Sequence, residues 1–218
     1  MNKKCSQCDL INFATADACA RCNAELSRVI HASSPKRSRA EWFFIRTGAV
    51  IMTIVVITIG FYLSLLMSAE RLTPQQKETV RNAISILREK KFDSEVMMLS
   101  TFTAYRGNDN WLNASVAKEN AYAATNFPFE IMTLYPDFFT YPIDDVEKAA
   151  ILLHEARHLM GEGEKEAYAY VWKNRERLGW TEDKYSLSSV WINVRHQTRE
   201  HVPELFNCAA KPLGDCTE

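Results

Sequence analysis

The sequence has almost no net charge and very few histidines. Its 26 basic and 27 acidic residues leave a formal charge of −1 over 218 residues, so charge gives no reason to expect nucleic acid as the main partner. We find no internal repeat and no low-complexity tract, which excludes repeat architectures. Nothing ahead of the first cysteines resembles a secretion signal, which disfavours disulfides there. Because only five histidines are present, two of them lying close together is informative.

Charge is missing altogether from residues 47–68, which are predominantly apolar. A helix rises about 1.5 Å per residue, so this run is long enough to cross a hydrocarbon core of roughly 30 Å. Trp42 lies shortly before it, where an aromatic side chain suits a membrane interface. A buried core helix would need apolar neighbours on every side over the same length. The sequence therefore predicts one transmembrane helix over residues 47–69.

The flanks of this run and the cysteines predict its orientation. Positive charges near a span count chiefly on short segments, which favours a cytoplasmic N-terminus. Four cysteines near the N-terminus suit a reducing compartment, and Cys208 and Cys216 can form a disulfide in an oxidising one or remain free thiols. We expect a single-pass protein of a bacterial cell membrane with an extracytoplasmic C-terminal domain. The charged flanks are Arg28, Lys36, Arg37, Arg39 and Arg46 before the run and Arg71, Lys77, Arg81 and Arg88 after it.

The N-terminal cysteines form two CxxC pairs separated by ten residues: Cys5, Cys8, Cys19 and Cys22. Four thiolates at this spacing are typical of a closed, tetrahedral structural zinc site. So short a segment cannot fold on a hydrophobic core, and the metal would supply the folding energy. The sequence predicts a zinc-binding module over residues 1–26.

This module resembles two kinds of small zinc domain. Asn12, four residues after Cys8, also fits RanBP2-type fingers, which bind RNA or ubiquitin, whereas the cysteine spacing is similar to that of zinc ribbons at bacterial N-termini. The tryptophan that usually precedes the first RanBP2 cysteine is absent. The resemblance therefore implies a structural or protein-binding ribbon, with a protein partner rather than nucleic acid.

Two histidines flank a glutamate in the run His154-Glu155-Ala156-Arg157-His158, which has the pattern HExxH. Residues four apart lie on one face of a helix, so both imidazoles can point at one ion, and Glu155 stands close enough to hold a metal-bound water. A helix is predicted here because Asp144 or Asp145 can cap its start and Gly161 can end it. The alternative is a surface helix that carries two histidines by chance.

The pattern resembles the zincin peptidases, which are HExxH zinc metallopeptidases, over about residues 130–178. The resemblance implies that His154 and His158 bind zinc. It also implies that Glu155 takes a proton from the zinc-bound water and passes it to the leaving amine during peptide hydrolysis. The strand-like stretch 127–135 would be the strand at the edge of the active site. An oxyanion donor is also expected, and the candidates by residue type are Tyr168, Tyr185, Arg195 and His196.

A catalytic zinc site usually has three protein ligands, and three glutamates compete for the third position. Written as HExxHxxGxxE, the motif resembles the metzincin spacing and ends on Glu164, with Glu where that subfamily usually has His or Asp. Glu164 also stands three residues before Ala167, as the gluzincin glutamate often does before a small residue. Glu166 fits the second pattern nearly as well, and Glu162 lies between two glycines. We predict Glu164 as the ligand, with Glu162 and Glu166 as alternatives.

The rest of the chain predicts one mostly helical α+β domain, zincin-like by resemblance, over residues 71–218. A basic linker at residues 27–46 precedes the predicted membrane helix. Thr73 opens the first helix of the domain with a capping box. Further helices are predicted over residues 115–125, 164–178 and 188–200, and residues 95–105 are ambiguous between helix and strand. Large side chains expected in the core are Trp172, Trp180 and Trp191.

Two functions from different classes fit these features. The first is a membrane-anchored zinc metallopeptidase that hydrolyses a peptide or protein outside the cytoplasm, with one catalytic and one structural zinc. The second is a zincin-like module without turnover that binds or senses a signal and is coupled to the cytoplasmic ribbon. Intact His154, Glu155 and His158 favour the first, so the sequence predicts a hydrolase.

Overall fold

The structure is a computed structural model that describes residues 2–26, 38–115 and 122–207. The chain divides into two compact units, Met1–Ile54 and Val55–Glu218. The strands are β1 (Lys3–Lys4), β2 (Ile11–Asn12), β3 (Ala104–Arg106), β4 (Ala123–Asn126) and β5 (Ile131–Leu134). The α-helices are α1 (Arg39–Met67), α2 (Pro74–Glu89), α3 (Asp93–Met97), α4 (Pro136–Thr140), α5 (Asp145–Leu159), α6 (Glu164–Leu178), α7 (Glu182–Tyr185) and α8 (Ser189–His201).

The N-terminal module, residues 2–26, has very little regular structure. β1 pairs antiparallel with β2, and an isolated bridge joins Ala18 to Glu25. The buried apolar residues of the module are Cys5, Cys19 and Leu26. A core of this size agrees with the expectation that apolar burial alone cannot hold the segment together.

Helix α1 carries the uncharged run. Ser38 and Glu41 form a capping box at its start: the Glu41 N–H donates to Ser38 Oγ at 3.1 Å, and the Ser38 N–H donates to Glu41 Oε2 at 3.0 Å. The helix therefore begins at Arg39, so residues 39–46 of the predicted linker are helical. Within the part of the chain that the structure describes, α1 is the one helix long and apolar enough to cross a membrane.

The second unit contains a three-stranded sheet in the order β3-β5-β4. β3 runs parallel to β5 and β4 runs antiparallel to it, with Ala124 opposite Thr133. The prediction of a strand over residues 127–135 is confirmed only for residues 131–134, and its predicted position at the edge of the site is wrong. Residues 127–130 form a turn, β5 is central and fully buried, and the edge strand is β4.

The predicted helix over residues 115–125 is also wrong where the structure describes it, because residues 123–126 form β4. Alanine favours helices, but helix propensity is a weak preference that tertiary pairing overrides. Here Ala123 is buried opposite Leu134 of the central strand. Residues 116–121 of that prediction lie outside the described residues.

The helices pack beside this sheet, with α5 in the middle of them. α5 packs against α2 and α6, and α6 packs against α8. The predicted capping box of α2 is confirmed, since Thr73 and Gln76 bond to each other's backbone N–H groups. The predicted helix over residues 164–178 is confirmed as α6, and Gly179, with φ of 82°, ends it. The ambiguous stretch contains both kinds of structure: α3, a π-helix at Met98–Phe102, and then β3.

The three tryptophans predicted for the core are buried there and contact one another. Trp191 lies 5.2 Å from Trp172 and 4.9 Å from Trp180, measured between ring centroids. Next to them, the fully buried Glu147 of α5 accepts hydrogen bonds from Trp180 Nε1 at 3.3 Å and from the hydroxyl of Ser188, the N-cap of α8. These bonds fix α5 against the C-terminal helices, and α5 is the helix that carries the HExxH run.

Candidate metal centre

Helix α5 forms over the HExxH run because both of its ends are well specified. Of the two aspartates predicted as its cap, Asp144 is the N-cap, and its Oδ1 accepts from Val146 N at 3.0 Å and Glu147 N at 3.2 Å. Gly161 follows the helix with φ of 85°, a left-handed conformation that suits glycine. His154 and His158 consequently lie on the same face of one helix, both half-buried.

A short turn connects α5 to α6, and Glu162 closes it. The Glu162 carboxylate binds Arg157, whose Nε donates to Oε2 at 2.7 Å. The same guanidinium donates from Nη1 to Glu95 Oε1 of α3 at 2.8 Å. Helix α6 then begins at Glu164, so its first side chain is delivered back towards the two histidines. Glu162 is therefore engaged in holding the turn rather than in the site.

Possible ligand atoms of His154, His158 and Glu164 lie close together. His154 Nε2 lies 3.0 Å from His158 Nε2, and the Glu164 oxygens lie 3.2 Å from the first nitrogen and 3.4 Å from the second. Tetrahedral ligands at about 2.1 Å from one zinc ion are about 3.4 Å apart, so the donor set fits that ion. Among the residues that the structure describes, Glu162 and Glu166 do not belong to this cluster.

A hydrogen bond to the backbone selects the tautomer of His158 that can bind a metal ion. Its Nδ1 lies 2.9 Å from the carbonyl oxygen of Glu162, and a carbonyl oxygen accepts only, so Nδ1 carries the proton. Nε2 of the neutral ring is then an unprotonated donor atom directed at the cluster. His154 differs, because its buried Nδ1 has no hydrogen-bond partner among the described residues.

The charges of the three groups depend on one another. Hydrogen bonds from His154 and His158 lower the pKa of Glu164. Burial alone would lower the pKa of His158, but its contacts with Glu164 and the Glu162 carbonyl outweigh burial and raise the pKa to about 9. In the absence of metal the cluster therefore holds a proton that a bound cation would displace.

Glu155 lies beside the cluster but outside it. Its side chain is buried against β4, where it shares a hydrogen bond with the Thr125 side chain. Burial raises the pKa of Glu155, and the neighbouring histidines oppose that shift. A buried carboxyl with a raised pKa, close to metal ligands, is suited to accept and release a proton.

Two cavities open on either side of Glu155 and Glu164, and β4 borders both. The first has a volume of about 370 Å³ and reaches His154, Tyr168 of α6 and His201 of α8. The second has a volume of about 390 Å³ and reaches His158, Gly161 and residues 123–125 of β4. The cluster is therefore accessible from solvent along the edge of the sheet.

The structure separates the four candidate oxyanion donors. Tyr168 lies at the site, with its ring 4.3 Å from that of His154 between centroids. Burial raises the pKa of the Tyr168 hydroxyl, and the negative charges of Glu164 and Glu155 add to that effect, so it stays protonated. Tyr185 instead donates to Asp144 at 2.8 Å. The remaining two, Arg195 and His196, line a separate cavity.

Sequence reasoning missed His201, whose ring stacks on Tyr168 with 5.2 Å between centroids. It also missed Asn193 and Gln197, which line the first cavity from α8. The helical spacing of these three positions, 193, 197 and 201, could have indicated a common face. Nothing in the sequence indicates that α8 packs on α6 and so reaches the first cavity.

The four N-terminal cysteines also come together. Cys5 Sγ lies 3.5 Å from Cys22 Sγ, and Cys8 Sγ lies 3.5 Å from Cys19 Sγ. All four sulfurs lie within 4.8 Å of one another. A disulfide bond is about 2.05 Å long, and the four are free thiols. Their separations fit four sulfurs around one ion, since Zn–S bonds of about 2.3 Å place tetrahedral ligands about 3.8 Å apart.

Asn12 supports the cysteine cluster from outside it. Its Nδ2 lies 3.6 Å from Cys19 Sγ, and its Oδ1 accepts from the Ala20 N–H at 3.0 Å. Hydrogen bonds from the backbone N–H groups of Cys22 and Arg21 lower the pKa of Cys19. These contacts favour a thiolate, the form that binds metal.

No family model, no curated protein and no solved structure matches this chain. Its function must therefore be argued from its own residues. Among residues 2–26, 38–115 and 122–207, two groups of side chains can hold a metal ion: the four cysteines, and the set His154, His158 and Glu164. The Cys208–Cys216 pairing lies outside the described residues.

Proposed function

We propose that this chain is a membrane-anchored zinc-dependent peptidase with a zincin-like domain that acts outside the cytoplasm. One observation carries the proposal: three ligand atoms of His154, His158 and Glu164 converge beside the buried carboxyl of Glu155. A structural metal site is normally closed by four protein ligands, whereas three ligands beside a solvent-accessible cavity leave a position for a reacting molecule. The zinc ribbon at the N-terminus would have the opposite, structural role.

The chain's residues have distinct roles in this reaction. His154, His158 and Glu164 hold the zinc, which when bound acts as a Lewis acid on a carbonyl oxygen and lowers the pKa of a coordinated water. In peptide hydrolysis the hydroxyl of water bonds to the carbonyl carbon, the C–N bond breaks, and the nitrogen gains a proton. Glu155 accepts the proton of the water and delivers it to that nitrogen, for which its raised pKa is suited. Tyr168 is the best placed donor for the developing oxyanion, because it is protonated and contacts a ligand.

Backbone groups of the edge strand β4 can form hydrogen bonds with an extended substrate peptide. In an antiparallel ladder, hydrogen-bonded and non-bonded pairs alternate. Since Tyr135 N donates to Tyr122 O at 3.0 Å, the peptide groups of Ala123 and Thr125 point away from β5. They face the cavities that reach Glu155. An extended peptide can therefore add to β4 and place one of its carbonyl groups at the cluster.

The proposed location follows from α1 and the cysteines. A helix of this length and composition supports a single-pass anchor. Free cysteines in residues 2–26 favour a reducing side for the N-terminus. The catalytic domain would then lie on the other side of a bacterial cell membrane, and the ribbon would be free to contact a cytoplasmic protein.

The test compares full-length wild type with Glu155→Gln, both purified in detergent with zinc, on a library of soluble peptides. Glu155→Gln should retain its zinc and lose hydrolysis by about 10²–10⁴-fold, the usual contribution of a general base. Glu166→Gln is the control for a carboxylate lost near the site, because Glu166 lies on α6 two residues after Glu164 but outside the cluster, and it should cleave as wild type does. Equal hydrolysis by wild type and Glu155→Gln would contradict the proposal. Absence of hydrolysis in zinc-loaded wild type would favour the non-catalytic sensing or binding module instead.

A further inference from the structure

The C-terminal end of α1 is packed against the catalytic domain. Phe61 lies 5.1 Å from Phe129 and 5.4 Å from Trp111, measured between ring centroids. Trp111 Nε1 also donates to Ser64 Oγ at 3.2 Å, and Leu65 is fully buried. The last turns of the helix are thus part of the hydrophobic packing of the second unit.

Hydrogen bonds reinforce this junction immediately after the helix. Arg106 of β3 donates to the carbonyl oxygen of Leu66 at 3.1 Å, and the Trp111 N–H donates to Ser68 Oγ at 3.3 Å. The Gly107 N–H donates to the carbonyl oxygen of Glu70 at 2.9 Å. A chain that is bonded on both sides of the helix end is not a flexible tether, so the last turns of α1 are held firmly within the second unit.

The turn that contacts α1 also borders the metal centre. Phe127 and Phe129 lie in the turn between β4 and β5, and the Phe127 ring lies 3.8 Å from where a Cβ on Gly161 would be. Thr125, which contacts Glu155, is two residues before Phe127, or about 7 Å along a strand. The edge strand therefore leads directly from the catalytic carboxyl to the membrane helix.

The same turn lies at the level of the membrane surface if α1 spans the bilayer. Phe61 lies seven residues before the end of the uncharged run 47–68, or about 10 Å along the helix, so its partner Phe129 must lie near that end of the run. Trp111 is 49% exposed and Phe127 is 60% exposed, and exposed aromatic side chains at this level suit the interface between lipid and water. The opening of the second cavity, which Phe127 lines, consequently lies next to the bilayer.

We infer that the substrate is itself a membrane-anchored polypeptide, cut within a few residues of the point where it leaves the bilayer. This inference rests on the proposed peptidase function and adds the class of substrate. A segment leaving the membrane is already at the height of β4 and needs little chain to reach it. A segment far from the membrane must fold back, which lowers its effective concentration at the site.

The experiment uses full-length, zinc-loaded protein in phospholipid bicelles, whose two faces are both open to solvent. The probe is a randomised linker of about 40 residues, long enough to reach roughly 140 Å when extended, joined to a single apolar span. The same linker without a span is the soluble probe. Mass spectrometry of the products gives the position of every cut.

We expect cuts in the anchored probe to concentrate in the first ten or so residues after the span, at about tenfold higher density than in the distal half. Cuts in the soluble probe should show no such gradient. Uniform cuts along the anchored probe, or cuts only far from the span, would overturn the inference and leave the peptidase function intact. Absence of cuts in both probes would overturn the proposed function itself.

A second measurement tests whether the junction with α1 causes the gradient. Phe61→Ala removes the ring that contacts Phe129 and Trp111, so the cuts should spread to more distant positions while cleavage of the soluble probe is unchanged. Phe44→Ala is the matched control, because Phe44 lies on the same helix and is 72% exposed. Equal gradients in Phe61→Ala and Phe44→Ala would show that the junction does not position the site.

Discussion

The two ligand clusters of this protein are built in opposite ways. The four cysteines lie on turns around a very small core, Cys5, Cys19 and Leu26, so a bound metal ion would be the main source of stability in that module. His154, His158 and Glu164 project from two helices that are held by an extensive core, so these three side chains come together without a metal. A metal ion would therefore stabilise the fold at the first site, whereas at the second site the fold itself positions the ligands.

Removing the metal should produce the largest difference in folding between the two regions. Structural zinc contributes on the order of 10 kcal/mol to small zinc modules, so a chelator should unfold residues 2–26 and leave the second unit folded. Trypsin cleavage at Lys3, Lys4 and Arg21 then becomes fast, as followed by mass spectrometry. All five tryptophans lie outside the module, so their fluorescence should not change. A protected module after chelation, or a large fluorescence change, would contradict the comparison.

Single ligand substitutions should remove the two metals one at a time. Glu164→Gln should weaken zinc binding at the helical site by more than about a hundredfold, since the loss of outer contacts alone costs about 10–100-fold. Glu166→Gln is the matched control and should retain both metals. Cys19→Ser should lose only the other ion. Metal content after dialysis measures this, and loss of zinc in Glu166→Gln would show that the wrong glutamate has been assigned.

Disrupting the turn between α5 and α6 should have smaller effects, on both the free energy of unfolding and the affinity for zinc. Arg157→Met frees Glu162 and removes the cationic partner of the buried Glu95, which should cost about 3 kcal/mol of unfolding free energy and about tenfold in zinc affinity. Adding Glu95→Gln to this variant should restore part of the stability but not the affinity, because the turn is still not held. Chemical denaturation and zinc titration separate the two effects, and a full recovery of affinity would contradict this role of Arg157.

The smallest expected effect is on the pH dependence of the free energy of unfolding. Burial would raise the pKa of Glu95, but hydrogen bonds from its own N–H, Tyr170, Ser94 and Arg157 outweigh burial and lower it. A carboxyl with a depressed pKa stabilises the fold above its unfolded value near 4.5 and loses that contribution as the pH falls through the folded value. Glu95→Gln should therefore show a shallower loss of stability below about pH 4.5 than wild type. Superimposable profiles would exclude this contribution.

Local signals in the sequence predicted the parts of the fold that depend on neighbours in the chain. The cap at Asp144 and the helix end at Gly161 were predicted because capping involves a few consecutive residues. Spacing likewise placed His154, His158 and Glu164 in one cluster. These features require no knowledge of which elements pack together.

Features that depend on distant packing were not predicted. β4 has alanines that favour a helix, and only its pairing with β5 makes it a strand. His201 reaches the site because α8 packs on α6. Glu162 looked like a rival ligand, since its bond to Arg157 depends on how the turn closes. The sequence contains the residues for these contacts but no local pattern that reveals them.

The doubly held turn at Glu162 has a kinetic consequence for how the protein folds. Its carbonyl oxygen fixes His158 and its carboxylate fixes Arg157, so α5, the turn and α6 close on themselves over contacts that are near in sequence. Such local closure costs little entropy and is generally fast. The metal-binding half of the site can therefore assemble as a helical hairpin on its own timescale. The sheet beside it is complete only when β3 pairs in parallel with β5, which is a slower contact between residues far apart in the chain.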